Sequence, residues 1–403
     1  MRFVPSLLLF SIVTLGACKA EPSPAKTAPR EAESAEQVKA IATIDPIDPK
    51  LGAHASTLCR EAMGVLVKLD HETNAETFET ATIQAAWTGP LHQWIRTTDS
   101  ALGRKDAALI TESLTRLEDH SDPVARQREL ALIVTQVRTA ALFETRRLLS
   151  ATTDAAPETP QRADQWDTAW CLWNAALRPL ARRADALPKR GGEGWETMIV
   201  EAFQAGRAAL DDQNDPSTPL ASRQIIEKGS YAVAHRLILA AAEAPEPAAI
   251  TEAAAMLDML EDRIADRNGP GLERMRAMLN GDPTAVDPLL IERELAVAFA
   301  KRARKYCDKA VIRAELRTPN AIAETWEGIL YTKVILPSMR EALTPAGFDA
   351  DAYTTDWQAY LETVESGDAE AAAAISTRLV KWNCAYQDHL GIAKCSSSSN
   401  EAQ

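Results

Sequence analysis

Carboxylate and imidazole side chains on predicted helices are the first groups in this sequence that could do chemistry. The set that could bind a divalent cation comprises Glu196, Glu201, Glu227, Glu327, His71 and His235. Paired glutamates on facing helices hold iron or manganese in helical bundles. Such sites use a Glu-x-x-His spacing, which this sequence lacks, and the helix dipole alone favours acidic residues in a first helical turn. The sequence therefore favours no cofactor, with a divalent metal as the alternative.

Three tryptophans could form a surface for a ligand. Trp166, Trp170 and Trp173 are spaced i, i+4, i+7, which places them on one face of a predicted helix. Core packing is the ordinary role of such a face, and we favour it. An aromatic wall of a groove for a sugar or peptide ligand is the alternative. A glutamate beside this face could then act as general acid on a cell-wall polymer.

Known catalytic motifs are missing from the sequence. It contains no His-Glu-x-x-His, no Gly-x-Ser-x-Gly and no phosphate-binding glycine loop. The chain has 44 Lys and Arg against 57 Asp and Glu, a net charge of −13. Because nucleic-acid binding needs a basic face, we expect no nucleic-acid partner, and a protein without catalytic activity is favoured over an enzyme.

The N-terminus has the pattern of an export signal. Arg2 precedes the apolar run 7–15, which is shorter than the roughly 20 residues that a membrane-spanning helix needs. The run ends in Leu15, Gly16, Ala17 and Cys18, which resembles the lipobox of bacterial lipoproteins. The resemblance implies that residues 1–17 are a signal peptide and that the thiol of Cys18 carries the lipid, so that the protein binds a lipid bilayer through an acylated cysteine.

A proline-rich segment follows this cysteine. Residues 18–50 contain five prolines among Ala, Glu, Lys and Ser, with almost no large apolar side chain before Val38. Such a segment buries too little surface to offset its chain entropy, so we predict a disordered tether. In Gram-negative lipoproteins an Asp after the lipidated cysteine retains the protein on the inner membrane. Because Lys19 stands there, the resemblance favours the outer membrane, facing the periplasm.

Apolar residues beyond the tether recur every three or four positions, which predicts an all-α fold of antiparallel helical hairpins. Ser121-Asp122-Pro123 predicts the start of a helix, and Asn268-Gly269-Pro270 predicts the end of one. Prolines indicate a linker at 151–165 between an N-terminal helical unit (51–150) and a C-terminal one (166–395), although a single unit is also compatible. Residues 396–403 are predicted to be a disordered tail. A possible repeat consists of helices that each open at a tryptophan, over 87–102, 195–210 and 326–343.

Five cysteines besides Cys18 remain after export, an odd number for an oxidising compartment. Cys384 and Cys395 would be about 16 Å apart on an unbroken helix, too far for a disulfide. Gly391 lies between them and could end the helix, so that the chain folds back. Pairings of Cys384 with Cys307, or pairings of Cys59, are the alternatives, and at least one thiol should stay free.

Together these features favour a membrane-anchored lipoprotein that acts as a binding or scaffold module in the cell envelope, with an envelope protein or ligand as partner. One alternative is a metal-binding component of iron or other divalent-cation uptake, and a second is an enzyme that acts on cell-wall polymer. The chain is similar to the imelysin family only in being an exported, acidic, helical protein. It lacks the His-x-x-Glu motif of that family, so no functional residue is transferred from it.

Overall fold

The computed structural model describes residues 51–73, 78–156, 159, 161–187, 194–210 and 215–396. These residues form fifteen α-helices and no strand, which confirms the all-α prediction. The predicted signal peptide, Cys18 and the tether to residue 50 lie outside the described residues, as do residues 397–403 of the predicted tail. None of the helices in the described ranges is long and apolar enough to cross a membrane.

The helices follow one another with short connections. The N-terminal ones are α1 (Thr57–Thr73), α2 (Thr80–Trp87), α3 (Pro90–Leu102), α4 (Asp106–Asp119), α5 (Pro123–Asp154), α6 (Arg162–Leu172) and α7 (Arg178–Asp185), with a π-helical turn, Trp173–Leu177, between the last two. The others are α8 (Trp195–Ala209), α9 (Ser217–Glu243), α10 (Pro247–Leu279), α11 (Pro288–Tyr306), α12 (Lys309–Arg313), α13 (Pro319–Leu343), α14 (Ala350–Ser366) and α15 (Ala369–His389).

Helix α9 lies at the centre of the fold. It packs against α5, α7, α8, α10, α11 and α13, and every residue from 226 to 239 is buried. A helix that is enclosed on all sides has no solvated face for charged side chains. Glu227 and Lys228 lie within this enclosed stretch and therefore need partners from the surrounding helices.

Helices on both sides of the predicted 151–165 linker pack against each other. Residues 151–154 form the last turn of α5, and residues 162–165 form the first turn of α6. Helix α5 contacts α6, α10 and α9, so the described helices belong to one compact unit, Asp48–Gln403. Of the one or two units that the sequence allowed, the described part of the chain has one.

The tryptophan-initiated helices of the possible repeat are only partly present. Helix α8 does begin at Trp195, but Trp87 ends α2, because Gly89 takes a left-handed φ of 81° and Pro90 starts α3. Trp326 lies inside α13, whose first residue is Pro319 and whose cap is Thr318. Glu327 is therefore in the interior of its helix, and its expected position at a helix start is wrong.

The helix start predicted at 121–123 is confirmed. Pro123 is the first residue of α5, and the Asp122 side chain accepts hydrogen bonds from the backbone N–H groups of Val124 and Ala125. The helix end predicted at 268–270 is also present, because the first half of α10 ends in a kink where Asn268 has non-helical backbone angles (φ −151°, ψ 54°). Asn268 Nδ2 donates to the backbone oxygen of Glu294, which holds the kink. Because the second half of α10 restarts there, Pro270 falls in a first turn, where proline is tolerated.

The C-terminal end of the described chain folds back through a disulfide. Helix α15 ends at His389, and Gly391 takes a left-handed φ of 79°. This turn brings the Cα atoms of Cys384 and Cys395 to 5.2 Å, and their sulfur atoms are bonded. Ser396 then donates its backbone N–H to Gln387 Oε1 at 3.1 Å.

Three cysteines of the described chain are free thiols. Cys59 and Cys307 are buried, and Cys171 is half-buried. Burial raises the pKa of the Cys307 thiol to about 12, and a hydrogen bond with Cys171 and burial raise the pKa of Cys59. Since the thiolate is the reactive form, both buried thiols are chemically inert at neutral pH.

Gly206 permits a close approach of three helices. A Cβ atom added there would overlap the indole ring of Trp166 on α6 and the Cβ atom of Ser222 on α9. Gly64 on α1 offers the opposite environment, because nothing lies within 4 Å of an added Cβ atom.

We expect Gly206→Ala to lower the free energy of unfolding by about 1–3 kcal/mol, because an added methyl group overpacks the core. Gly64→Ala is the matched control and should leave stability unchanged or raise it by up to about 1 kcal/mol through helix propensity. Urea unfolding followed by circular dichroism measures both values. Equal stability of the two variants would contradict the close packing at Gly206.

Candidate functional site

The residues of the predicted metal set are spread over the fold. Glu201 is exposed on α8, and His71 is exposed near the end of α1. His235 is buried on α9, and its ring meets the Phe299 ring edge-on at 5.4 Å. Within the described residues, no group of three or more His, Cys, Asp and Glu side chains is placed to hold a metal ion.

Glu196 ties the start of α8 to α7. Its Oε1 accepts hydrogen bonds from Arg178 Nε at 2.6 Å and from Arg182 Nε at 2.8 Å. The carboxylate of Asp185 accepts from the backbone N–H groups of Trp195 and Glu196, so it caps α8 from the end of α7. Glu196 is thus part of an ion pair between helices.

Glu227 and Glu327 do come together, through a lysine between them. Lys228 Nζ lies 3.1 Å from Glu227 Oε2 and 3.4 Å from Glu327 Oε2. The two glutamates are on α9 and α13, helices that pack side by side. A metal-binding pair would leave its oxygens open toward a shared position, whereas the lysine ammonium occupies the space between these two carboxylates.

The remaining oxygen of Glu227 is also occupied. Glu227 Oε1 accepts from Tyr231 OH at 2.7 Å and from Arg263 Nη2 at 2.9 Å, and Arg146 Nε lies 3.0 Å away. Burial alone would raise the pKa of this carboxyl, but Lys228, Arg146 and Arg263 bring it well below its usual range. Glu227 is therefore a fixed anion whose hydrogen-bonding capacity is used by the protein itself.

Glu327 is held in a similar way. Tyr306 OH donates to Glu327 Oε2 at 2.7 Å, and burial, together with the Glu327 charge, raises the pKa of Tyr306 well above its usual value. Burial lowers the pKa of Lys228, but Glu227 and Glu327 more than offset this and raise it. We call these residues the buried charge network: Arg146, Glu227, Lys228, Tyr231, Arg263, Tyr306 and Glu327.

The sequence predicted only part of the buried charge network. Its two glutamates belonged to the predicted metal set, but Arg146, Lys228 and Arg263 were missed. The available signal was the pair Glu227-Lys228 within the otherwise largely apolar stretch 226–239. Charges in such a stretch are buried if it is helical, and buried charges require partners.

The tryptophan face lies in the core. Trp166, Trp170 and Trp173 are at most 5% exposed and surround Phe203. Trp166 Nε1 donates to the backbone oxygen of Phe203 at 3.0 Å, and Trp173 Nε1 donates to Ser230 Oγ at 3.2 Å. These rings contact protein on every side, so they do not line a groove for a polymer.

A polar cleft lies between α5 and α10, with a volume of about 390 Å³. We call it the α5–α10 cleft. The polar side chains that line it are His120, Arg128, Glu129, Gln136, Thr251, Asp258, Arg276 and Asn280. Burial raises the pKa of Asp258, and the Arg276 guanidinium, whose Nη2 is 3.2 Å from Asp258 Oδ1, opposes that shift.

Two side-chain oxygens of the α5–α10 cleft are buried without a partner among the described residues. Glu129 Oε1 accepts from Arg116 Nε at 3.0 Å, but Glu129 Oε2 is buried without a hydrogen bond from any described residue. Gln136 is 6% exposed, and its Oε1 is likewise unpaired in the described chain. Arg128 donates through Nε to Thr251 Oγ1 at 3.1 Å and forms no ion pair with a described carboxylate.

Comparisons with known proteins give no match for this chain. No protein-family model, no curated protein and no solved structure matches it. The function must therefore be argued from the residues themselves.

We expect Lys228→Met to lower the free energy of unfolding by about 3–5 kcal/mol, because removal of one partner leaves two buried carboxylates undercompensated. Lys68→Met is the matched control. Lys68 is exposed on α1, and its replacement should change stability by less than about 0.5 kcal/mol. Urea unfolding of both variants measures the difference. If Lys228→Met lowers the free energy of unfolding by no more than Lys68→Met does, the Lys228 ammonium does not compensate these carboxylates.

Proposed function

We propose that this protein is a lipid-anchored, non-catalytic binding module of the bacterial cell envelope, held at the outer membrane and facing the periplasm. The observation that carries the binding role is the α5–α10 cleft, where Glu129 Oε2 and Gln136 Oε1 are buried and no described residue donates a hydrogen bond to them. Unpaired buried polar atoms cost free energy, and a ligand that pairs with them recovers that cost.

The anchor is inferred from the sequence. Leu15-Gly16-Ala17-Cys18 matches the lipobox pattern, and the following proline-rich segment is suited to hold a globular body away from a bilayer. A lipoprotein cysteine carries several acyl chains, enough for stable attachment where one chain is marginal.

A binding role is favoured over the two alternatives for separate reasons. The metal hypothesis depended on glutamates, but Glu196, Glu227 and Glu327 are engaged by cationic side chains. The cell-wall enzyme depended on the tryptophan face, which is buried.

The anchor makes a direct prediction. The full-length protein expressed in a Gram-negative host should enter the detergent-rich phase in phase partitioning, whereas Cys18→Ser should remain in the aqueous phase because it cannot be acylated. Cys171→Ser is the matched control, which removes a thiol that is not proposed to carry lipid. Equal partitioning of wild type and Cys18→Ser would refute lipidation.

The binding role is tested by photo-crosslinking in intact cells. A photoreactive amino acid in place of Ala254, which lines the α5–α10 cleft, should form an adduct that mass spectrometry detects. The same replacement at Val67, which is 55% exposed on α1, is the control and should form no such adduct. The binding proposal fails if position 254 yields no more adduct than position 67.

A further inference from the structure

We propose that the α5–α10 cleft binds a small zwitterion, a molecule with a primary ammonium and a carboxylate such as an amino acid or a short peptide. The inference rests on the proposed binding function and names the ligand class. It follows from two buried, unpaired acceptor oxygens and one exposed guanidinium group that line the same cleft.

The ammonium group of the ligand binds to oxygen acceptors of the cleft. Gln136 is 6% exposed, and its Oε1 is a buried acceptor without a partner among the described residues. Glu129 Oε2 is a second buried acceptor without a described partner. An ammonium group carries three donors and no acceptor, so either of these oxygens can accept a hydrogen bond from it.

The carboxylate group of the ligand binds to the guanidinium group of Arg128. Its only described hydrogen bond uses Nε, toward Thr251, so the terminal nitrogens remain available for a carboxylate, which guanidinium groups bind in a fork geometry. Arg276 differs from it, because that guanidinium already contacts the carboxylates of Asp258, Glu261 and Glu273.

The dimensions of the cleft fit a small ligand. Arg128 and Gln136 are eight residues apart on the cleft face of α5, about 12 Å along the helix axis. An extended chain advances about 3.3–3.6 Å per residue, so a peptide of two or three residues spans much of this length. The volume of about 390 Å³ lies near the lower end of small-molecule sites.

The binding experiment uses the full-length lipoprotein in detergent and isothermal titration calorimetry. The probes are alanine, trialanine, N-acetyl-trialanine and trialanine amide. We expect trialanine or alanine to bind, and each blocked form of trialanine to bind at least about tenfold more weakly, because each block removes one charge-assisted contact. Tighter binding of trialanine assigns a peptide, and equal or tighter binding of alanine assigns an amino acid.

Two variants test the two ends of the ligand separately. Arg128→Gln should weaken trialanine binding about tenfold but leave the affinity for trialanine amide unchanged, because the amide no longer uses the guanidinium. Gln136→Met should weaken trialanine binding and leave the affinity for N-acetyl-trialanine unchanged. The matched control is Arg96→Gln, which removes an exposed arginine that lines a different cleft and should have no effect.

The outcomes separate this inference from the proposed function. If no probe binds while crosslinking at position 254 succeeds, the zwitterion is refuted and the binding role remains. Equal losses of trialanine affinity in Arg128→Gln and Arg96→Gln would also refute the zwitterion. Partitioning of Cys18→Ser reports on the anchor independently of both results.

Discussion

The enclosure of α9 is the constraint on which the arrangement of its neighbours depends. Because 226–239 has no solvated face, the charges of Glu227 and Lys228 must be compensated by other helices. Arg146 comes from α5, Arg263 from α10 and Glu327 from α13. Each of these helices must therefore place one particular residue beside Glu227 or Lys228 along the axis of α9. A helix that slipped by a turn would leave a buried charge without its partner, so the network selects one register among several that apolar packing alone would tolerate.

The acceptor oxygens of the buried charge network and of the α5–α10 cleft differ in how completely they are paired. Both carboxylates of the buried charge network are engaged by cations or hydroxyl groups, and such buried pairs add little net stability although their disruption is costly. In the α5–α10 cleft, by contrast, Glu129 and Gln136 each keep an unpaired oxygen. Oxygens that are hydrogen-bonded within the protein hold helices together, whereas unpaired oxygens that line a cleft can bind another molecule. This distinction, rather than residue type, separates the two sites.

The sequence predicted those features that depend on neighbouring residues. The apolar period predicted the helices, Asp122 and Pro123 predicted the start of α5, and Gly391 indicated where α15 could turn back. It could not predict contacts between distant segments. Arg146 meets Glu227 across 81 positions of the chain, and nothing local distinguishes it from a solvated arginine. Arg128 and Glu129 likewise look like ordinary surface charges, because only the position of α10 makes their face of α5 a cleft.

The disulfide between Cys384 and Cys395 changes how the end of α15 responds to limited proteolysis. The turn at Gly391 lies within the loop that the two sulfur atoms close. A protease that cuts in this loop would produce two new chain ends but no free fragment, since the piece beyond the cut stays attached through sulfur. The nicked and intact molecules would have the same mass within one water molecule, and only a thiol reductant would release the terminal peptide.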